Sequence, residues 1–246
     1  MTPLSADPTV LLTATPREMR AVLFGLPDVP RIKTGRPQQW QWDGKSWILL
    51  ACGIGPVNAA WSLGRLLGGE RPVQGVLNLG IAGSFAPQRH PLGSRVVVAE
   101  EIWPEFGLRT EQGVDASGLG YAHGKVHGRL VWDRLALSPE QNAAKMGLQL
   151  PEDWDRVLSL SVSGVTGCAS EAKRLYRSYG ADVENMEGFA LAWGCFRARV
   201  PFLQVRGISN RVGSRRKEDW DFKAAFQALQ QAWFRLLPGR RESIHF

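Results

Sequence analysis

Two glutamates lie close together where a strand is predicted to run into a helix. Glu184 and Glu187 are three positions apart, with Met186 between them, and the helix is predicted over residues 187–198. A carboxylate near a helix N-terminus is stabilised by the positive end of the helix dipole. The pair therefore indicates either a ligand-binding site or two solvated charges at the start of a helix.

A second polar group follows an apolar strand predicted over residues 200–208. Arg206, Ser209 and Asn210 lie at the end of this strand or just beyond it. In open α/β sheets, ligands bind at the carboxyl ends of the strands. We therefore expect these side chains to line a cleft, the alternative for Arg206 being a surface charge.

Glu18 is a third candidate, close to the chain start. Thr15, Pro16 and Glu18 have the spacing of a capping box with proline at the first helical position. A carboxylate bound to a cap nitrogen is a weaker base. The structural and the catalytic role of Glu18 therefore compete, and each can be fulfilled only in part.

Strands and helices alternate along the chain, which is typical of βα units. The order predicts an α/β fold: a single-domain three-layer α/β/α sandwich around a mixed, mostly parallel central sheet. No repeat or linker divides residues 1–246, and flexible tails are predicted at 1–8 and 239–246. Strands are predicted at 10–15, 40–42, 47–52, 73–79, 96–99, 157–165 and 200–208. Helices are predicted at 16–24, after 53–55 as far as 68, at 169–179, 187–198 and 219–237, and a tight glycine turn at 80–84.

The composition excludes several classes of protein. The chain is 44% hydrophobic, enough for a full core, and has no run of 18 apolar residues that could span a membrane. The N-terminus does not have the pattern of a secretory signal, so a cytoplasmic location is expected. Neither the cysteines nor the histidines have the spacing of a disulfide scaffold or a metal site, so no metal is expected. These residues are Cys52, Cys168, Cys195, His90, His123, His127 and His245.

The net charge is +7 and the pI about 9.7, which permits binding of nucleic acid or of an acidic small molecule. Basic and aromatic residues do not interleave as in a single-strand-binding surface, so nucleic acid is not expected. Gly53 and Gly55 lack the third glycine of a dinucleotide fingerprint, because Asn58 stands in its place. No cofactor is therefore expected.

Taken together and in order, these motifs resemble the nucleoside phosphorylase and nucleosidase superfamily, in particular its hydrolytic branch. The similarity is to the 5′-methylthioadenosine/S-adenosylhomocysteine nucleosidases and, more closely, to the futalosine hydrolases of the alternative menaquinone pathway. It covers residues 10 to about 237. The motifs lie at 13–18, 53–57, 78–83, 183–187 and 206–210.

The resemblance implies an enzyme that cleaves a small nucleoside with water. Glu18 would activate the water, Arg206 would help hold it, and the backbone at Ala82 and Gly83 would present N–H groups to it. Glu187 would bind the ribose 2′- and 3′-hydroxyls and offset positive charge that develops on the ring.

Further contacts follow from the same resemblance. Met186 would lie against the ribose, and Glu184 and Ser209 would contact the substrate. Ser170 stands where the methylthioadenosine enzymes place an aromatic residue that stacks on the purine, and Ile81 replaces a serine near the water. The purine therefore needs another stacking partner.

Asn210 is the departure that indicates the base. The adenosine-specific relatives carry aspartate here, whereas an amide offers two N–H donors. Hypoxanthine has acceptors at both N7 and O6, so Asn210 favours a 6-oxopurine such as the base of futalosine. Futalosine also carries a benzoate on its 5′ side, which suits a basic protein.

The nucleophile is expected to be water. Phosphorylases hold phosphate with several arginines, whereas Arg17 is the only arginine beside the first loop, and Glu18 would repel a phosphate. The alternatives are another purine nucleosidase, a purine nucleoside phosphorylase, or a non-catalytic nucleoside- or nucleic-acid-binding protein. The resemblance also implies a homo-oligomer, a dimer or larger.

Overall fold

A computed structural model describes residues 7–126 and 128–239. The predicted flexible tails at 1–8 and 239–246 lie almost wholly outside the described residues, as do His127 and His245. Pro8 is described, and it belongs to the folded part, because it is buried and its carbonyl accepts the N–H of Gln74 at 3.0 Å.

The described residues form thirteen strands, six α-helices and one 3₁₀ turn (Lys217–Asp219). The strands are β1 Thr9–Thr13, β2 Gln38–Trp42, β3 Lys45–Ala51, β4 Gly75–Ser84, β5 Arg95–Ile102, β6 Leu108–Thr110, β7 Gly113–Asp115, β8 Gly124–Val126, β9 Arg129–Val131, β10 Arg134–Ala136, β11 Asp155–Ser161, β12 Val183–Asn185 and β13 Phe202–Arg211. The helices are α1 Pro16–Val22, α2 Pro56–Leu67, α3 Pro139–Lys145, α4 Ala169–Tyr179, α5 Gly188–Arg197 and α6 Phe222–Leu236.

Nine of the strands form one mixed sheet, in the order β10-β5-β11-β12-β4-β1-β3-β2, with β13 added between β4 and β5. Because β13 pairs in parallel with β4 and antiparallel with β5, strands β5, β11, β12, β4 and β13 close into a ring. The predicted α/β class with a mixed sheet is confirmed. The ring brings the ends of β4, β12 and β13 together.

Most predicted elements are confirmed. The strands predicted at 40–42 and 47–52 pair as the hairpin of β2 and β3, and the observed ends of α4 match the predicted ones. The region 103–137, which was not predicted, forms two small hairpins and the edge strand β10. Helix α3 was also missed.

The predicted glycine turn at 80–84 is wrong, because β4 runs through it without a break. Neither Gly80 nor Gly83 has a positive φ, so backbone freedom is not the reason for glycine here. A Cβ on Gly80 would lie 2.0 Å from Nη1 of Arg206, and one on Gly83 would lie 2.9 Å from Nδ2 of Asn210. The glycines make room for side chains of the neighbouring strand.

The core lies on both faces of the sheet. On one face, Trp233 of α6 packs edge-on against Trp47, with ring centroids 4.7 Å apart, beside the stacked rings of Trp40 and Trp42. The last helix, predicted at 219–237, is confirmed as α6, and Leu229, Trp233 and Leu236 are its buried core residues. No helix in the described part of the chain is long and apolar enough to cross a membrane.

Candidate active site

Glu18 is buried and lies at the carboxyl end of β1, in the first turn of α1. Its Oε2 accepts the Thr15 N–H and the Thr15 hydroxyl, both at 2.8 Å, which completes the predicted capping box. Its Oε1 accepts the N–H of Ile81 in β4 at 3.1 Å. One oxygen therefore serves the fold, and the other faces the neighbouring strand.

Arg206 lies beside Glu18 and is almost fully buried, with 1% exposure. The missing side chain of Gly80 makes this possible, because a Cβ there would lie 2.0 Å from Nη1 of Arg206 and 3.4 Å from Oε1 of Glu18. Nη2 of Arg206 donates to Oδ1 of Asn185 at 3.2 Å, and Nε has no partner among the described residues. A buried guanidinium with donor capacity to spare is suited to hold a polar ligand.

Glu187 is the second buried carboxylate of this cluster. Its Oε1 accepts the N–H of Gly55 at 2.9 Å. Burial raises the pKa of Glu187, and the positive charge of Arg206 opposes that rise. The glycine motif at 53–55 thus serves as a turn before α2 that presents a backbone donor to Glu187, with Gly55 at φ +89°.

Asn185 fixes the position of Glu187. Its Oδ1 accepts the N–H groups of Glu187 and Gly188, at 2.9 and 2.7 Å, and so caps helix α5. Its Nδ2 donates to Oε1 of Glu101 at 2.9 Å. The amide therefore points its oxygen at the helix start and Arg206, and its nitrogen at a buried acid.

Glu101 of β5 also belongs to this cluster and was not among the residues predicted from the sequence. It is fully buried, and its carboxylate accepts hydrogen bonds from Ser161 Oγ at 2.7 Å and Gln204 Nε2 at 2.5 Å as well as from Asn185. Burial raises the pKa of Glu101 to about 7. A Cβ on Gly188 would lie 2.0 Å from its Oε1, which explains the glycine after Glu187. The available signal was an acid pair inside an apolar strand.

Glu184 lies in different surroundings from Glu187. Its carboxylate accepts the N–H and hydroxyl of Thr166, and the charges that act on it are those of Glu105 and Glu171. Burial raises its pKa. The structure thus engages Glu184 with the loop before α4, and its contact with substrate stays a prediction.

Asn210 lies at the end of β13, after a bulge that interrupts the pairing of β13 with β4. Its Oδ1 accepts the Ser209 hydroxyl at 2.9 Å, and its Nδ2 donates to the carbonyl of Arg211 at 3.2 Å. Ser209 Oγ is also 3.2 Å from the carbonyl of Ala82. Only one N–H of the amide therefore remains for a ligand, whereas the sequence argument assigned it two.

The remaining predicted positions surround this cluster. Met186 is half-buried and packs against an apolar core cluster that includes Leu160. Ile81 is also half-buried and packs against the core. Ser170 is exposed at the start of α4, with its hydroxyl 3.3 Å from Cys168 Sγ.

The sequence and the fold define the class of protein. Residues 8–237 match the model of the Phosphorylase superfamily, and the chain belongs to that family. It is 34% identical over 197 residues to futalosine hydrolase from Thermus thermophilus, which covers 79% of this chain and 82% of the relative. It is 33% identical over 178 residues to 5′-methylthioadenosine/S-adenosylhomocysteine nucleosidase from Anoxybacillus flavithermus, covering 70% of each chain.

Solved structures share the fold at lower sequence identity. The 5′-methylthioadenosine/S-adenosylhomocysteine nucleosidase of Helicobacter pylori, with butyl-thio-DADMe-Immucillin-A, matches at TM-score 0.69 and 19% identity over 92% of this chain and 94% of that one. The native futalosine hydrolase of the same organism matches at TM-score 0.67 and 19% identity, again over 92% and 94%.

Proposed function

We propose that this protein hydrolyses the N-glycosidic bond of futalosine and releases hypoxanthine. The observation that carries the proposal is the buried cluster of Glu18, Arg206 and Glu187, in which the charge of Arg206 acts on Glu187 and its Nη1 lies beside Gly80 together with Oε1 of Glu18. Two relatives at 34% identity, from Thermus thermophilus and Streptomyces coelicolor, are futalosine hydrolases. With futalosine as its substrate, the protein would act in menaquinone biosynthesis.

Glu187 would bind the ribose and stabilise the charge that develops on it. In an oxocarbenium-like transition state, positive charge develops on the sugar ring as the bond from C1′ to N9 breaks. A buried carboxylate on the 2′- and 3′-hydroxyls stabilises that charge, because the low local dielectric strengthens the interaction. Met186, at the start of the same helix, would lie against the sugar.

Glu18 and Arg206 would bind and activate the attacking water. Oε1 of Glu18 would accept a proton from the water as its oxygen bonds to C1′, and Arg206 would hold the water by an N–H that the protein leaves unused. The backbone N–H that reaches Oε1 of Glu18 is that of Ile81, and the contact of Ala82 and Gly83 with the water stays a prediction. The departing base takes its proton from solvent, since an amide at 210 cannot supply one.

Asn210 would recognise the purine base. Because Ser209 donates to Oδ1, the amide presents nitrogen rather than oxygen. One N–H is available at once for N7 or O6, and the second becomes available if the Arg211 carbonyl is exchanged for the purine. Both purine atoms are acceptors in hypoxanthine, so the donor face fits it. Glu184 would support this end through Thr166.

A homo-oligomer in the cytoplasm is the proposed assembly and location. Three exposed apolar residues support the homo-oligomer. They are Ile54, Val57 and Trp61, with exposures of 56%, 80% and 66%. The first of them is next to Gly55, the donor to Glu187. A second copy that covers them would stand against the sugar side of the site.

The second candidate is a methylthioadenosine/S-adenosylhomocysteine nucleosidase, which several relatives at about 33% identity favour. The test is incubation of the purified protein with futalosine, inosine and methylthioadenosine, each with and without phosphate, while free base is measured. Hypoxanthine from futalosine without phosphate supports the proposal. Adenine from methylthioadenosine alone supports the second candidate, and a requirement for phosphate assigns a phosphorylase.

A further inference from the structure

A cavity of about 730 Å³ lies beside the capping box of α1. Thr15, which binds Glu18, forms part of its wall, so the cavity adjoins the water end of the site. No Asp or Glu is among its described lining residues. Four basic residues line it: Arg17, Arg20, Arg31 and Lys33.

These four cations are all exposed, and the described part of the chain gives none of them an ion-pair partner. Most other wall residues are apolar, among them Leu23 and Ile32. A basic cavity with apolar walls suits a ligand that combines an anionic group with an apolar body. A guanidinium can bind a carboxylate through two parallel hydrogen bonds.

A row of aromatic rings connects the end of β13 with this cavity. Asn210 forms a backbone bridge with Trp220, whose ring centroid is 5.3 Å from that of Phe222. The guanidinium of Arg17 lies over Phe222 and Phe226, at 5.9 and 5.0 Å from the ring centroids. Arg17 therefore marks the place where aromatic surface meets the basic cavity.

We propose that this cavity, entered past Arg17, binds an acidic aryl group on the 5′ side of the nucleoside. The carboxylate pairs with the Arg17 guanidinium, and the aryl ring packs on the exposed edge of Phe222. This inference rests on the proposed function, because futalosine is the candidate substrate that carries a benzoate there. Inosine and methylthioadenosine have no acid at that end and gain nothing from the cavity.

The test compares Arg17→Gln with wild type on futalosine and on inosine. Glutamine keeps helix propensity at this position and removes the charge. The ratio of kcat/KM for futalosine to that for inosine should fall about 10- to 100-fold, the usual range for a lost charged hydrogen bond. The loss should come mainly through KM, as expected for uniform binding. Arg177→Gln, at an exposed arginine on α4, is the matched control and should leave the ratio at its wild-type value.

An unchanged ratio in Arg17→Gln, or an equal change in Arg177→Gln, would overturn the inference. A wild-type protein that does not cleave futalosine would overturn the proposed function instead. The cavity is then tested directly by calorimetric titration with benzoate, and with benzamide as the neutral control. Binding of benzoate that weakens at least about 10-fold in Arg17→Gln supports the subsite. Equal binding by the variant, or by benzamide, contradicts it.

Discussion

The two ends of the site are held in opposite ways. At the ribose end, Glu187 follows Asn185, whose amide is fixed on one side by two backbone N–H groups and on the other by buried Glu101. At the base end, Asn210 is half-buried, follows a strand bulge, and is held by one hydroxyl and one carbonyl. From the proposed function we therefore expect the ribose end to determine whether the reaction occurs, and the base end to determine which purine leaves.

Removal of Glu187 tests the ribose end and should have the largest effect. Glu187→Ala should lower kcat by several orders of magnitude, because it removes the carboxylate that would bind the ribose hydroxyls and offset the charge that develops on the ring. The melting temperature should change little or rise, because a buried carboxylate with a raised pKa costs stability at neutral pH. Near-normal turnover in this variant would show that the ribose assignment is wrong.

Glu18→Gln separates the two uses of Glu18. The glutamine oxygen can still accept the Thr15 N–H, but the NH2 group then faces the N–H of Ile81, so we expect a loss of stability of about 1–3 kcal/mol. The amide also cannot take a proton from water. We expect kcat to fall about 100-fold or more, within the usual contribution of a general base. Calorimetry and steady-state kinetics on one preparation distinguish the cases. A large loss of stability with normal kcat would reduce Glu18 to a helix cap.

Asn210→Asp tests the base end, where we expect a change of specificity rather than a loss of the reaction. An ionised aspartate has no donor for the acceptors N7 and O6, and an unpaired buried acceptor costs about 1–3 kcal/mol. Cleavage of futalosine should therefore fall roughly 10- to 100-fold at neutral pH and partly recover as the pH is lowered. The analogue with adenine as its base should gain relative to futalosine, and an unchanged kcat/KM ratio of the two would remove Asn210 from base recognition.

The smallest expected effect is on the pH dependence of stability. The pKa of Glu101 is about 7 in the folded protein against an ordinary value of 4.5, so folding binds a proton in that interval. This residue therefore makes the protein less stable as the pH rises from about 4.5 to about 7, by up to about 1.4 kcal/mol per pH unit. Glu101→Gln should flatten the curve of unfolding free energy against pH, measured by urea denaturation. A curve parallel to wild type would mean that Glu101 is already ionised below this range.

The features that the sequence predicts best are those set by the spacing of residues close together in the chain. The capping box spans four residues, and helix α4 ends at a glycine, so both follow from short-range chemistry. Glu101 could not be found in this way, because its partners Asn185 and Gln204 lie 84 and 103 positions away. The break predicted at Gly80 failed for the same reason. The need for glycine there comes from Arg206 on a neighbouring strand.

The most direct test of the proposed function is a competition between futalosine and methylthioadenosine, the substrates of the two kinds of relative. Wild-type protein is incubated in phosphate-free buffer with equal concentrations of futalosine and methylthioadenosine, and the initial rates of release of hypoxanthine and adenine are measured by chromatography. The account predicts that hypoxanthine is released faster and that Glu187→Ala abolishes its release. Faster release of adenine, or no release of base without phosphate, would contradict it.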